Sequence, residues 1–268
     1  MVIIKTEGLS KTYKGYKGFL KKRRVLALEK VNLKVRKGEV FGLLGLNATG
    51  KSTLLKMLLG FVFSDEGKVE ILKKEKVNSW IKQRIGFLPE DPCFYEYLSA
   101  YEFLVFLGKL FKVKKMARER RIKDALSLVG LTEDKKTRIK EFSKGMSQRL
   151  GIAATLINNP EILLLDEPMS GLDPLGRKRV KDIILTLKRD GKTVFFSSHI
   201  LSEVEEICDR IGIIHKGKLI YTGEIKTIKE KGEGSLEKFF IDLVKRFLKR
   251  SEISDFTDKW STILNSAP

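Results

Sequence analysis

The densest chemical signal in the chain is the run Gly45-Leu46-Asn47-Ala48-Thr49-Gly50-Lys51-Ser52-Thr53. It fills the pattern G-x-x-x-x-G-K-[ST], in which backbone N–H groups cradle phosphates, the lysine reaches the β- and γ-phosphates, and the next hydroxyl ligates Mg²⁺. That chemistry needs a strand before the loop and a helix after it. The apolar run Val40 to Leu44 reads as a buried strand, and Lys51 to Leu59 reads as a helix. Gly45 and Gly50 permit the sharp turn, and the positive end of the helix macrodipole lies behind the phosphates.

A second constellation is Ile162-Leu163-Leu164-Leu165 followed by Asp166-Glu167. A carboxylate at the end of a buried strand must be paired, protonated or bound to metal. Beside a phosphate loop, the economical assignment puts Asp166 on Mg²⁺, directly or through water, and makes Glu167 the group that polarises an attacking water. His199 follows the strand Thr193 to Ser197, where parallel α/β sheets place ligands. A lone histidine there is more often structural, so the position alone leaves its role open.

The elements around these residues alternate as in an α/β chain. Val2 to Leu9 and Leu26 to Val35 read as strands, and Lys37-Gly38 turns into the strand before the loop. Lys68 to Leu72 and Ile85 to Leu88 read as further strands, the latter ending at Pro89-Glu90. From about Ser99 to Asn158 the apolar spacing is helical, with Phe103, Phe106, Leu107 and Leu110 three and four apart. Pro174 to Lys188 and Ile200 to Cys208 read as helices, Arg210 to Ile214 as a strand, and Lys216-Gly217 as a hairpin turn. Leu236, Phe239, Phe240, Leu243, Val244 and Phe247 form an apolar stripe at helix spacing. Packing on its own domain is the first reading of that stripe, with partner docking and an interfacial membrane helix as alternatives. Residues 251–268 read as a loosely ordered end.

The 53 basic residues outnumber 34 acidic ones, for a net charge of +19. Such a balance suits a polyanion, an anionic membrane surface or nucleotide, without choosing among them. The cations cluster twice. Lys14 to Arg24 holds six with no acid and reads as a long solvated hairpin loop, or else a contact for lipid headgroups or an acidic partner. Lys109 to Lys123 holds eight against Glu119 alone, a solvated helix face or a nucleic-acid contact. Cys93 and Cys208 lie far apart without a metal-spaced partner, as expected of idle or buried thiols. No run approaches the roughly 18 uncharged apolar residues of a membrane span. The expected setting is cytoplasmic, with any spanning done by another polypeptide.

Taken together over residues 1–223, these parts resemble the nucleotide-binding subunit of ATP-binding cassette (ABC) proteins. Leu163 to Glu167 resembles the Walker B strand, Leu88-Pro89-Glu90 the Q-loop, and Phe142-Ser143-Lys144-Gly145-Met146 the signature usually written L-S-G-G-Q. Ser170-Gly171-Leu172-Asp173 resembles the D-loop, His199 the switch histidine, and Tyr13 the adenine-stacking position. The string from Phe142 to Arg149 is most similar to the branch serving drug and polysaccharide export.

The resemblance implies a phosphate-loop ATPase core, an N-terminal antiparallel β subdomain and a helical subdomain over about 94–158, inserted between Q-loop and signature. Residues 224–268 would form a helical tail. It implies ATP and Mg²⁺ as ligands, with Ser52, Glu90 and Asp166 about the ion, Glu167 as general base, His199 on the γ-phosphate, and Asp173 coupling two sites. The chain departs from the family's pattern at Leu46, Ala48, Glu90, Lys144 and Met146. Ala48, where the family has glycine, is expected to keep a negative φ. Ser143 and Gly145 precede a helix from Met146 to Leu156, a second anion-binding helix N-terminus in a chain with one phosphate loop. Two chains head to tail would bring each signature to the other's nucleotide, with Lys144 adding about 0.3 to 1 kcal/mol of attraction. The implied partners are a second ABC subunit, identical or not, and a separate transmembrane permease at the cytoplasmic face of the cell membrane. A soluble cassette ATPase acting on nucleic acid or ribosomes is the alternative, although such proteins commonly carry two cassettes in one chain. A small-molecule kinase or GTPase would leave the signature and D-loop unexplained.

Overall fold

The computed structural model describes residues 1–17, 21–75, 77–230 and 235–248. Its strands form two sheets. In the first, β1 (Val2–Lys17) pairs antiparallel with β2 (Lys21–Arg36) on one side and β4 (Glu66–Ile71) on the other. The solvated loop expected over Lys14 to Arg24 is not found. The ladder continues through Tyr13↔Val25 and Lys14↔Arg24 out to Lys17↔Lys21. Continued pairing satisfies the backbone N–H and C=O groups of both strands. The density of cations carries no information on backbone form. The turn itself, 18–20, lies outside the described residues.

The second sheet runs in the order β5-β6-β7-β3-β8-β9. Its strands are β3 (Val40–Leu44), β5 (Ile85–Leu88), β6 (Ile162–Leu165), β7 (Thr193–Ser198), β8 (Arg210–His215) and β9 (Lys218–Glu224). The first five are parallel, and β9 returns antiparallel after Lys216-Gly217. β3, β6 and β7 are buried at every position, which fits apolar runs rather than alternation in a parallel sheet covered on both faces. Phe41 of β3 stacks on Phe195 of β7 at 5.5 Å. Gly42 leaves room for α7 (Leu201–Ile207): a Cβ there would lie 2.7 Å from Cys208 Sγ and 2.9 Å from Val204 Cγ1. Cys208 is therefore a packing residue, and burial pushes its thiol well above the ordinary range.

The helices are α1 (Lys51–Leu58), α2 (Ser79–Lys82), α3 (Ala100–Leu110), α4 (Lys115–Leu128), α5 (Lys144–Leu156) and α6 (Pro174–Arg189), followed by α7, α8 (Ile225–Glu230) and α9 (Leu236–Phe247). α3 begins at a capping box, Ser99 taking the N–H of Glu102 while Glu102 takes that of Ser99. α3, α4 and α5 pack together through Phe103, Leu104, Ile122, Leu126 and Leu150, and α5 also lies on β5. In α9 part of the expected stripe turns inward: Leu236, Phe240 and Val244 are buried against the α7 and α8 side, Phe239 and Leu243 are half-buried, and Phe247 is exposed. Residues 251–268 lie outside the described residues. Among the described residues no helix is long and apolar enough to cross a membrane.

Candidate functional site

The strand order decides where the chemistry gathers. β5, β6, β7 and β3 are neighbours, and all four run the same way. Glu90 follows β5, Asp166-Glu167 follows β6, His199 follows β7 and Gly45 follows β3, so all emerge at one end of the sheet across three strand spacings, roughly 14 Å. This is the carboxyl end, where open α/β sheets bind ligands.

Gly45 and Gly50 hold positions that a side chain cannot take. A Cβ on Gly45 would lie 2.6 Å from Ile214 O, and on Gly50, at φ +109°, 2.4 Å from Ala27 O. Ala48 does not keep the negative φ expected of it: φ is +61°. The nest of inward N–H groups fixes the backbone there, and alanine adopts the left-handed form at a cost of about 1 to 2 kcal/mol. Asn47 and Ala48 are exposed, Leu46 is half-buried, and Thr49 is buried with its hydroxyl donating to Leu46 O at 2.7 Å. Ser52 and Thr53, on the first turn of α1, are half-buried.

Lys51 is only 6% exposed and its ammonium donates to Gly45 O at 2.6 Å and Leu46 O at 3.1 Å. It also lies 3.1 Å from Glu167 Oε1. That contact is an ion pair outside hydrogen-bond geometry, and Oε1 is a buried acceptor without a hydrogen-bond donor. The other oxygen, Oε2, lies 2.9 Å from His199 Nδ1. Glu167 itself adopts φ +47°, a costly form for a non-glycine residue and one that recurs at functional sites. Burial pushes the Glu167 carboxyl up, but the His199 hydrogen bond and the Lys51 charge outweigh it and hold the group below its ordinary range. The same hydrogen bond raises His199. At neutral pH the pair is an ionised carboxylate beside an imidazole biased toward its charged form. Glu90, exposed at the rim, is pushed up by partial burial and by the charges of Glu167, Asp166 and Asp91.

Two serines that the sequence reading did not single out hold this cluster together. Ser197, fully buried, donates to Asp166 Oδ1 at 2.6 Å and accepts from the Glu167 N–H at 2.9 Å. Ser198 accepts from the Ile200 N–H at 3.0 Å and donates to Glu203 Oε2 at 3.0 Å. Their polar type within an otherwise apolar buried strand, Thr193 to Ser198, is the signal that would have found them.

The signature residues stand elsewhere. Ser143 caps α5, its Oγ accepting from the Met146 N–H at 3.2 Å. Gly145 and Met146 are half-buried, and Lys144 is exposed on the first turn with no acid beside it. Its Nζ passes over Gly171, 2.3 Å from where a Cβ on that glycine would be. α5 covers β5, and β5 is separated from β3 by β6 and β7, so the signature helix start and the phosphate loop belong to different parts of the sheet. Asp173, exposed, caps α6 through Gly176 N–H at 2.8 Å. Tyr13, 40% exposed, pairs with Val25 on the hairpin whose Ala27 carbonyl abuts Gly50.

The donors suit Mg²⁺ better than a transition metal. Ser52, Glu90 and Asp166 offer hard oxygens, and among the described residues no three His, Cys, Asp or Glu side chains form a cage. Mg²⁺ takes one or two carboxylates and completes its shell with waters and phosphate oxygens.

The profile of the family described as ABC transporter matches residues 28–170. The chain belongs to the ABC transporter family. It is 47% identical over 234 residues to an ABC transporter ATP-binding protein of Synechocystis, covering 87% of this chain and 66% of that one. The chain thus spans just under two thirds of that relative's length. It is 39% identical over 238 residues to the bacitracin transport ATP-binding protein BcrA of Bacillus licheniformis, covering 88% of this chain and 74% of that one. Among solved structures, a dimeric ATP-binding cassette in a post-hydrolysis state bound to ADP and Pi matches with a TM-score of 0.74 at 26% identity, covering 83% of this chain and 99% of that one. The two-sheet α/β architecture is thus that of the ABC cassette.

Proposed function

We propose that this chain is a Mg²⁺-dependent ATPase that energises export through a separate membrane permease, by ATP-driven head-to-tail pairing of two cassettes. The observation that carries the reading is the Lys51–Glu167–His199 cluster at the phosphate loop, with Glu167 Oε1 buried and lacking a donor. Lys51 is held by Gly45 O, Leu46 O and Glu167. Phosphates in the loop would draw the ammonium to the β- and γ-oxygens and leave Glu167 Oε1 to accept from a water in line with the γ-phosphate. With its pKa held down, Glu167 is ionised and ready to take that water's proton. His199, anchored through Nδ1, has Nε2 left to face the γ-phosphate. Ser52, Glu90 and Asp166 would hold Mg²⁺, which when bound supplies charge neutralisation on the β- and γ-phosphate oxygens. Tyr13 stacks the adenine.

In this reading Ser143, Lys144, Gly145 and Met146 serve the nucleotide of a second cassette, and Asp173 couples the two sites. The dimeric match supports the pairing, and the name of the bacitracin relative supports a transport role. An apolar cleft beside Glu90, lined by Leu88, Pro92, Phe94, Phe103, Leu107 and Phe111, offers a permease segment a seat next to the site. The ATPase domain would span 1–223 with 224–268 as a helical tail, and the chain would work at the cytoplasmic face of the cell membrane.

The test uses Glu167→Gln. This variant should lose steady-state hydrolysis, keep ATP affinity, and form dimers by light scattering with ATP and Mg²⁺. Near-normal hydrolysis removes Glu167 from its role, and a chain that stays monomeric removes self-pairing. Purified with ATP from detergent-solubilised native cells, it should bring down a polytopic membrane protein in stoichiometric amount. Nuclease-sensitive nucleic acid or ribosomal proteins in its place would replace export with the soluble alternative.

A further inference from the structure

Glu203 is a buried acid that the chemistry above leaves unused. It stands in the first turn of α7 and is 4% exposed. A leucine or methionine would pack that turn without the desolvation of a carboxylate, so the acid must be held there by its contacts. Its Oε2 accepts from Ser198 Oγ, and the same Oγ accepts from the Ile200 N–H, both at 3.0 Å. Ser198 and Ile200 flank His199. One carboxylate therefore grips the backbone segment that carries the histidine.

The second oxygen points toward another part of the site. Oε1 is buried without a hydrogen-bond partner, and Arg177 Nε lies 4.0 Å from it. That Nε gives its hydrogen to Leu172 O at 2.9 Å, so the contact with Glu203 is one of charge alone. Leu172 immediately precedes Asp173. Arg177 is thus tied by a hydrogen bond to the segment of Asp173 and by its charge to the segment of His199.

We propose that Glu203 is a positioning residue that holds His199 against Glu167 and, through Arg177, links that hold to the segment bearing Asp173. This rests on the roles proposed above for His199 and Asp173. A cassette partner meeting Asp173 would move Leu172, shift the Arg177 guanidinium, and alter the charge facing Glu203. The grip on Ser198 would then tighten or relax, and with it the imidazole 2.9 Å from Glu167.

The chain has two histidines, His199 and His215. Imidazole signals of the ¹⁵N-labelled full chain therefore report His199 directly, with His215 as the internal reference. Glu167, Lys51 and Glu203 are the charged groups around the ring. Glu203→Leu keeps the bulk but removes both oxygens. It should return the titration of His199 toward the ordinary value and leave His215 unmoved. It should also lower kcat about tenfold while changing the ATP Kd less than twofold, as expected when a reacting group loses its orientation. Glu203→Gln retains an acceptor for Ser198 and should recover kcat to within about threefold. Pairing Arg177→Gln with Glu203→Leu should cost less than the product of the single effects, because the two act as one unit.

A folded Glu203→Leu chain with wild-type His199 titration and kcat overturns the proposal, as does full additivity with Arg177→Gln. If the wild-type chain fails to hydrolyse ATP, the ATPase reading falls. Comparing the His199 titration of Glu203→Leu with that of Glu203→Gln, which loses the same charge but keeps an acceptor for Ser198, would still decide whether Glu203 positions the ring.

Discussion

Replacing Ser197 by alanine tests the site where its geometry is tightest. The hydroxyl is fully buried between the two carboxylate residues, donating to Asp166 Oδ1 at 2.6 Å and accepting from Glu167 N–H at 2.9 Å. A hydrogen bond to a charged group contributes about 1.5 to 3 kcal/mol and a neutral one about 1. β7 is buried at every position, so removing the hydroxyl leaves both partners short of a bond. The expected loss is about 2.5 to 4 kcal/mol of unfolding free energy. For a chain of this size that is a fall in Tm of roughly 5 to 10 °C. Equilibrium urea unfolding with linear extrapolation, alongside a thermal scan, gives the value. Because the same two bonds aim Asp166 and Glu167, ATP turnover should fall with stability. A loss under about 1 kcal/mol with turnover intact would refute the view that Ser197 holds the two acids in place.

Other changes probe the loop and the charged pair. Ala48→Gly relieves an alanine at φ +61°; less the extra unfolded-chain freedom of glycine, it should stabilise by about 0.5 to 1 kcal/mol, read as a rise in urea midpoint. Gly50→Ala sets a Cβ 2.4 Å from Ala27 O at φ +109°, so it should cost about 1 to 3 kcal/mol and weaken ATP binding, measured by calorimetry. His199 has a raised pKa, so its contribution to stability is full below the ordinary 6.5 and is lost as pH rises through the folded value. Glu167 has a lowered one, so its contribution is present above the ordinary 4.5 and is lost as pH falls through its folded value. His199→Gln should flatten the alkaline decline in urea midpoint that sets in above the ordinary 6.5 while leaving the acid limb in place; a decline unchanged in the variant assigns it to another group.

The central sheet and its tips were legible because their signals are local. A phosphate loop, an aliphatic run ending in two acids, and apolar runs of strand length each carry their meaning within a few residues. The hairpin over Lys14 to Arg24 was not, since six cations disguise residues whose backbones pair across the ladder. Ala48 misled for a related reason: the nest of N–H groups, a property of the whole loop, overrides the preference of one side chain. Ser197 and Ser198 stand out in the sequence only as polar residues in a buried strand, and what they, Glu203 and Arg177 hold follows from partners 5 to 31 residues away. The sheet order brings Ser197 beside Asp166, and the packing of α6 on α7 brings Arg177 beside Glu203.

The alignment of four strand tips also makes strand length a ruler. Each residue advances a strand by about 3.3 Å and turns the next side chain to the opposite face. Deleting one residue from Ile162–Leu165 would leave the core's composition almost unchanged. It would also draw Asp166 and Glu167 back from the loop by that one step and point them away from each other's present partners. Apart from Gly42, Ser197 and Ser198, apolar residues inside these strands are thus exchangeable by volume, whereas insertions and deletions are not tolerated. Descendants of this chain should vary in the letters of β5, β6, β7 and β3 far more freely than in their number.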